Sequence, residues 1–151
     1  MKFARSLWIA GALLFVSQVS ANAGSSNLGL GLILGDPTGL TFTHRFSAER
    51  ELRPFLAYDW GNSFELGIDY RFRRPGAGWL PQELKSAVPF FGIGARIEND
   101  DRIGLRLPLG LQYRFAGTPS EIGLELVPGI GLAPDTEAHF EGGFTFTYFL
   151  E

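Results

Sequence analysis

Residues 102–115, RIGLRLPLGLQYRF, alternate in hydropathy from end to end. Ile103, Leu105, Leu107, Leu109, Leu111, Tyr113 and Phe115 form one row. Arg102, Gly104, Arg106, Pro108, Gly110, Gln112 and Arg114 form the other. A period of two is that of an extended strand, whose successive side chains point to opposite faces. Ordinary strands run about five or six residues, whereas a tilted strand of roughly 9–11 residues crosses a bilayer. In a soluble sandwich the apolar row faces a core and the arginines face water. In a membrane-spanning barrel the apolar row faces lipid and the arginines face the lumen.

The N-terminal segment bears on that choice. Lys2 and Arg5 precede an apolar run over 7–16, and Ala21-Asn22-Ala23 follows. A basic start, a short apolar run and an Ala-x-Ala site read as a secretory signal peptide spanning 1–23, leaving a single domain over 24–151. The apolar run is short of the roughly 20 residues of a helical anchor. The remaining 128 residues carry 11 basic and 16 acidic side chains and no cysteine. No basic stripe points to nucleic acid. Disulfides cannot stabilise the domain, and burial in a bilayer can. Export together with membrane-spanning strands points to the outer membrane of a diderm bacterium.

The alternation recurs along the chain. Strands are expected over 27–35, 40–46, 52–60, 64–72, 88–98, 102–115, 121–132 and 139–150. Turn-forming residues such as Asp36-Pro37, Gly61-Asn62 and Asn99-Asp100-Asp101 separate most of them. The connection 74–85, RPGAGWLPQELK, is the longest and has room for a helical turn near Pro81. Eight sequential antiparallel strands predict an all-β, up-and-down transmembrane barrel.

The polar rows are glycine-rich and carry charges of both signs: Glu65, Asp69, Arg71, Arg96, Glu98, Arg102, Arg106, Arg114, Glu121, Glu125 and Glu141. Glycine weakens a solvated strand, but inside a narrow barrel it makes room for long neighbours, and charges buried there must pair. A lumenal ion-pair network is therefore expected. Acidic and basic rows on adjacent strands are expected to face each other, with Arg114 beside Glu121 across a short turn. Outward aromatics collect near strand ends. Phe46, Tyr70, Phe72, Tyr113, Phe115 and Tyr148 fall at the periplasmic rim, with His44 close by; Tyr58 and Trp60 fall at the other. Such bands are expected at membrane interfaces.

On these residues the chain resembles the small eight-stranded outer-membrane barrels, the class of the OmpA transmembrane domain and of OmpX-like and PagP/PagL-like proteins. The segment 29–40, GLGLILGDPTGL, is similar to the first hairpin of small bacterial barrel proteins. The resemblance implies an outer-membrane location, lipid as partner and recognition by the insertion machinery. Such barrels often end on an aromatic residue; here Phe149 is followed by Leu150 and Glu151.

Chemical motifs are few. Gly29, Gly31 and Gly35 lie within a strand and lack the strand–turn–helix setting of a dinucleotide loop. His139 and Glu141 could act as base and partner in a lipid deacylase-like barrel. The deacylase pattern places a serine where Glu141 stands, so a lumenal ion-pair role is preferred. Glu98-Asn99-Asp100-Asp101 reads as a solvated turn rather than a cation site. No cofactor and no metal are expected. Arg71, Arg73 and Arg74 cluster at the periplasmic rim, where anchoring explains them. The expectation is a monomeric, non-enzymatic outer-membrane barrel of structural or envelope-associated role, with 74–85, from Arg74 to Lys85, as a partner site in the periplasm. Lipid modification through His139 and Glu141 is the enzymatic alternative. A secreted soluble barrel binding an apolar ligand is the third, and it requires the Leu and Phe rows to face inward.

Overall fold

The computed structural model describes residues 27–99 and 101–150. The segment read as a signal peptide lies outside them. The strands are β1 (Leu28–Asp36), β2 (Thr38–Ser47), β3 (Arg50–Asp59), β4 (Ser63–Arg73), β5 (Ala87–Glu98), β6 (Arg102–Arg106), β7 (Leu109–Arg114), β8 (Ser120–Ala133) and β9 (Glu137–Phe149). One turn of 3-10 helix, Gln82–Leu84, interrupts the long connection where a helical turn was expected.

β6 and β7 are halves of one strand. Both pair with β5 and with β8, and the register runs on without a slip: Gly94 faces Arg106 and Phe91 faces Leu109 on one side, Gly129 faces Arg106 and Leu126 faces Leu109 on the other. Pro108 has no N–H to donate, but the cross-strand bonds continue on either side of that gap, from Leu107 N–H to the Pro128 carbonyl at 2.8 Å and from Gly92 N–H to the Pro108 carbonyl at 2.7 Å, and the side chains keep alternating. All neighbours are antiparallel and β9 pairs with β1, so the strands hydrogen-bond in a ring of eight with no free edge. Following Cα partners from Gly31 through Thr41, Phe55, Gly67, Arg96, Gly104, Gly131 and Glu137 advances the register by about ten residues on return to β1. That shear corresponds to strands tilted by roughly 35–45° and a lumen filled by side chains.

The near end of the barrel holds Asn27, the β2–β3 turn, the β4–β5 connection and the β7–β8 turn. The far end holds the other four hairpin turns. The barrel is inside out relative to a soluble protein. Among the described residues 32 large apolar side chains are exposed, while 17 polar or charged residues are buried. Ile122, Leu124 and Leu126 alternate outward with buried Glu121, Glu125 and Val127. The soluble-barrel alternative fails on this point, because the Leu and Phe rows face out and the lumen is charged.

Candidate functional site

Among the described residues the lumen gathers the buried charged side chains, and a recurring pattern shapes part of its packing. A long inward side chain faces a glycine on the neighbouring strand and reaches over it. Asp69 faces Gly94, Arg71 faces Gly92, Glu125 faces Gly110, and Arg106 lies between Gly94 and Gly129. A Cβ at Gly94 would collide with both Asp69 Oδ1 and the Arg106 chain. This glycine therefore lets β4 and β6 bond across β5. Gly67 plays the same part for Phe55, whose ring lies where the Cβ would stand.

Charged rows on adjacent strands pair in part, Arg45 with Glu51, Arg53 with Asp69 and Arg96 with Glu65, while Arg106 and the acidic row of β8 are joined by bridges across the barrel. Arg53 on β3 donates to Glu125 on β8 at 2.8 Å and lies 3.3 Å from Asp69. Arg71 also bonds Glu125. Arg106 lies 2.9 Å from Glu65, 3.1 Å from Asp69 and 3.3 Å from Glu141. Arg96 joins Glu65 at 3.2 Å, Glu141 at 2.5 Å and Glu98 at 2.8 Å. At the near end Arg45 joins Glu51 at 2.9 Å and Glu121 at 3.1 Å, while Arg73 donates to Gln112 at 2.9 Å. Arg71, 3.6 Å from Glu51, links this cluster to the rest. Six arginines (Arg45, Arg53, Arg71, Arg73, Arg96, Arg106) thus meet six carboxylates (Glu51, Glu65, Asp69, Glu121, Glu125, Glu141) in one connected network, which Glu98 and Arg102 extend at the far rim as a seventh pair. Arginine suits this role, because its planar fork serves several carboxylates at once and stays charged when buried. Arg71 lies 4.2 Å over the Phe90 ring and Arg106 4.2 Å over Phe55, so aromatic faces occupy what the carboxylates leave.

Two expected members of the network sit differently. Arg114 faces Glu121 in the ladder but does not pair with it. Its guanidinium lies 4.9 Å from the Phe149 ring and the residue is exposed, because Arg45 and Arg73 reach Glu121 from the lumen. Arg102 is half exposed at the far rim and pairs with Glu98 at 3.3 Å. The network also recruits Arg45, Glu51, Arg53 and Gln112, which the sequence reading had not assigned partners, and it corrects the rim-anchor reading of Arg71 and Arg73: both point into the lumen and are buried there, and only Arg74 of that cluster is exposed.

At the far end the network floors a vestibule of about 280 Å³ lined by Glu65, Arg96, Glu98, Arg102, His139 and Glu141, with Asp36, Asp59, Asp135 and Glu137 around it. His139 Nε2 lies 3.3 Å from Glu141 Oε1. Neither ring nitrogen of His139 makes a hydrogen bond within the chain, and the ring rests against Gly129. Among the described residues the vestibule lining holds no serine, threonine or cysteine, so this pair has no nucleophile beside it.

On the outer surface Phe46, Tyr113, Phe115 and Tyr148 are exposed near one end, and Tyr70 and Phe72 are half buried by neighbouring rings. Phe72 stacks on Phe91 with centroids 5.3 Å apart. His44 packs edge-on to Phe46 at 4.6 Å. At the far end Tyr58 packs on Phe64, and Trp60 donates to the Gly35 carbonyl at 3.2 Å.

A solved structure from work described as "De novo design of transmembrane beta-barrels" aligns with a TM-score of 0.57. The fold is like that of a transmembrane β-barrel. The alignment covers 84% of this chain and 98% of that chain at 13% identity, which carries the fold alone. No family model and no curated protein matches the chain.

Proposed function

We propose that this chain is a non-enzymatic, integral outer-membrane barrel with a structural or envelope-associated role and a sealed lumen. The observation that carries this reading is the pairing of an apolar exterior with a charge-balanced interior. A surface with this many exposed Leu, Ile and Phe side chains is at home in hydrocarbon. An eight-stranded lumen is narrow enough for side chains to fill, and Arg53–Glu125, Arg71–Glu125 and Arg45–Glu121 cross this one, which supports a sealed interior. The basic and apolar N-terminal segment supports export.

The test is direct. The protein folded in detergent is run on a gel with and without boiling, and then incorporated into a planar bilayer. The reading expects heat-dependent mobility and no steady conductance. Equal mobility together with solubility in plain buffer would refute membrane insertion, and a stable open channel would refute the sealed lumen. Lipid modification is not favoured: the lining around His139 and Glu141 offers no side-chain nucleophile for acyl transfer, and His139→Ala is expected to leave lipid composition unchanged.

A further inference from the structure

The near end carries an element that the barrel itself does not need. Two of its three connections are short turns, but 74–86 is thirteen residues long and presents apolar side chains to the outside. Trp79 is 72% exposed and Leu84 42% exposed, while Leu80, between them in sequence, is buried at 6%. The arm is therefore tethered by Leu80 and by the Arg74 N–H, which donates to the Pro89 carbonyl at 2.8 Å, and it holds its tryptophan outward. Its two ends are basic and exposed, at Arg74 and Lys85. Its roots are the stacked rings of Phe72 and Phe91, part of the near-end aromatic band. By contrast, the turns at Ala48-Glu49 and at 116–119 offer no large apolar side chain.

We propose that this arm docks on anionic phospholipid headgroups of the leaflet at the near end, with Trp79 and Leu84 at the interface and Arg74 and Lys85 on the phosphates. The inference rests on the membrane-inserted reading above and names what the near rim holds. Two further features favour lipid as the occupant. The arm follows directly on Phe72, which stacks on Phe91 in the near-end aromatic band, and it adds exposed Trp79 and Leu84 to that end. Charge is also polarised along the barrel: at the near end exposed Arg50, Arg74, Lys85 and Arg114 outnumber Glu49 and Glu83, whereas at the far rim Asp36, Asp101, Asp135 and Glu137 outnumber Arg102. An indole favours the headgroup level, and basic side chains beside an anionic surface add on the order of five-fold each to its occupancy.

The experiment uses the full chain with Trp8→Phe and Trp60→Phe, so that Trp79 reports alone. The folded protein is placed in vesicles of phosphatidylcholine, with and without phosphatidylglycerol, and Trp79 emission is quenched with lipids brominated at shallow positions. The expected result is strong shallow quenching that increases with phosphatidylglycerol. Arg74→Gln with Lys85→Gln should remove that increase while the heat-dependent gel shift stays intact. Water-like, unquenched emission from a barrel that shows the gel shift would overturn the arm's docking and leave the barrel standing. A protein with no gel shift in any lipid would overturn both readings.

Discussion

Replacing Arg106 with methionine tests whether the lumenal network holds the barrel together. Arg106 is 1% exposed and serves Glu65, Asp69 and Glu141 while covering the Phe55 ring. Methionine keeps most of the apolar stem and the contact with Phe55, so the loss is mainly electrostatic. Six carboxylates then share five arginines. Each orphaned carboxylate keeps one partner: Glu65 and Glu141 keep Arg96, and Asp69 keeps Arg53. Removing one partner from a buried ionic cluster typically costs about 3–5 kcal/mol. With a urea slope of about 2 kcal/mol/M this lowers the unfolding midpoint by about 1.5–2.5 M. The assay is reversible urea unfolding in detergent or thin vesicles, followed by the gel shift and by tryptophan emission. Adding Glu141→Gln restores a five-to-five balance, so the double variant should recover about 1 kcal/mol or more relative to Arg106→Met. A midpoint loss under about 0.5 M for Arg106→Met, or a double variant weaker by the full sum of both losses, would refute the reasoning.

Other positions give sharper contrasts. Arg102→Met removes a half-exposed pair with Glu98 and should cost less than about 1 kcal/mol in the same unfolding assay. Gly67→Ala drives a methyl into the Phe55 ring and should cost about 1–3 kcal/mol, recovered in part by Phe55→Leu, which shortens the obstructing side chain. Leu124→Arg places a charge on the outward face and should cost about 2–4 kcal/mol in a bilayer. The same substitution in a soluble protein with that residue exposed would be close to neutral, so folding titrations in vesicles decide it.

The faces of this barrel were legible because alternation is a local property: reading 102–115 assigns every side chain to one surface, and the register confirms one continuous strand despite the missing N–H at Pro108. Partner choice was local only in part, as where Arg45 meets Glu51 and Arg53 meets Asp69 across one ladder. Arg53 and Glu125 stand 72 residues apart and meet only because the ring closes with a particular shear. Arg114 illustrates the opposite error, since adjacency in the ladder suggested a pair with Glu121 that Arg45 and Arg73 make from across the lumen. In β3, Pro54 interrupts the apolar row ahead of Leu56 and hid the inward set Glu51, Arg53 and Phe55. The glycines were visible as lumen-filling residues, but the saddle at Gly94 is apparent only once Asp69 and Arg106 are seen on either side of it.

The central claim is that the apolar face meets lipid and the charged face does not. The chain has no cysteine, so single cysteines at Phe144, Thr145, Phe146, Thr147 and Tyr148 can carry nitroxide labels without background. Their accessibility to oxygen and to a water-soluble nickel chelate is measured in vesicles. The account predicts a period of two, with labels at Phe144, Phe146 and Tyr148 oxygen-accessible and those at Thr145 and Thr147 shielded. Accessibility to the chelate at Phe144, Phe146 and Tyr148 alike would place that face in water and contradict the account.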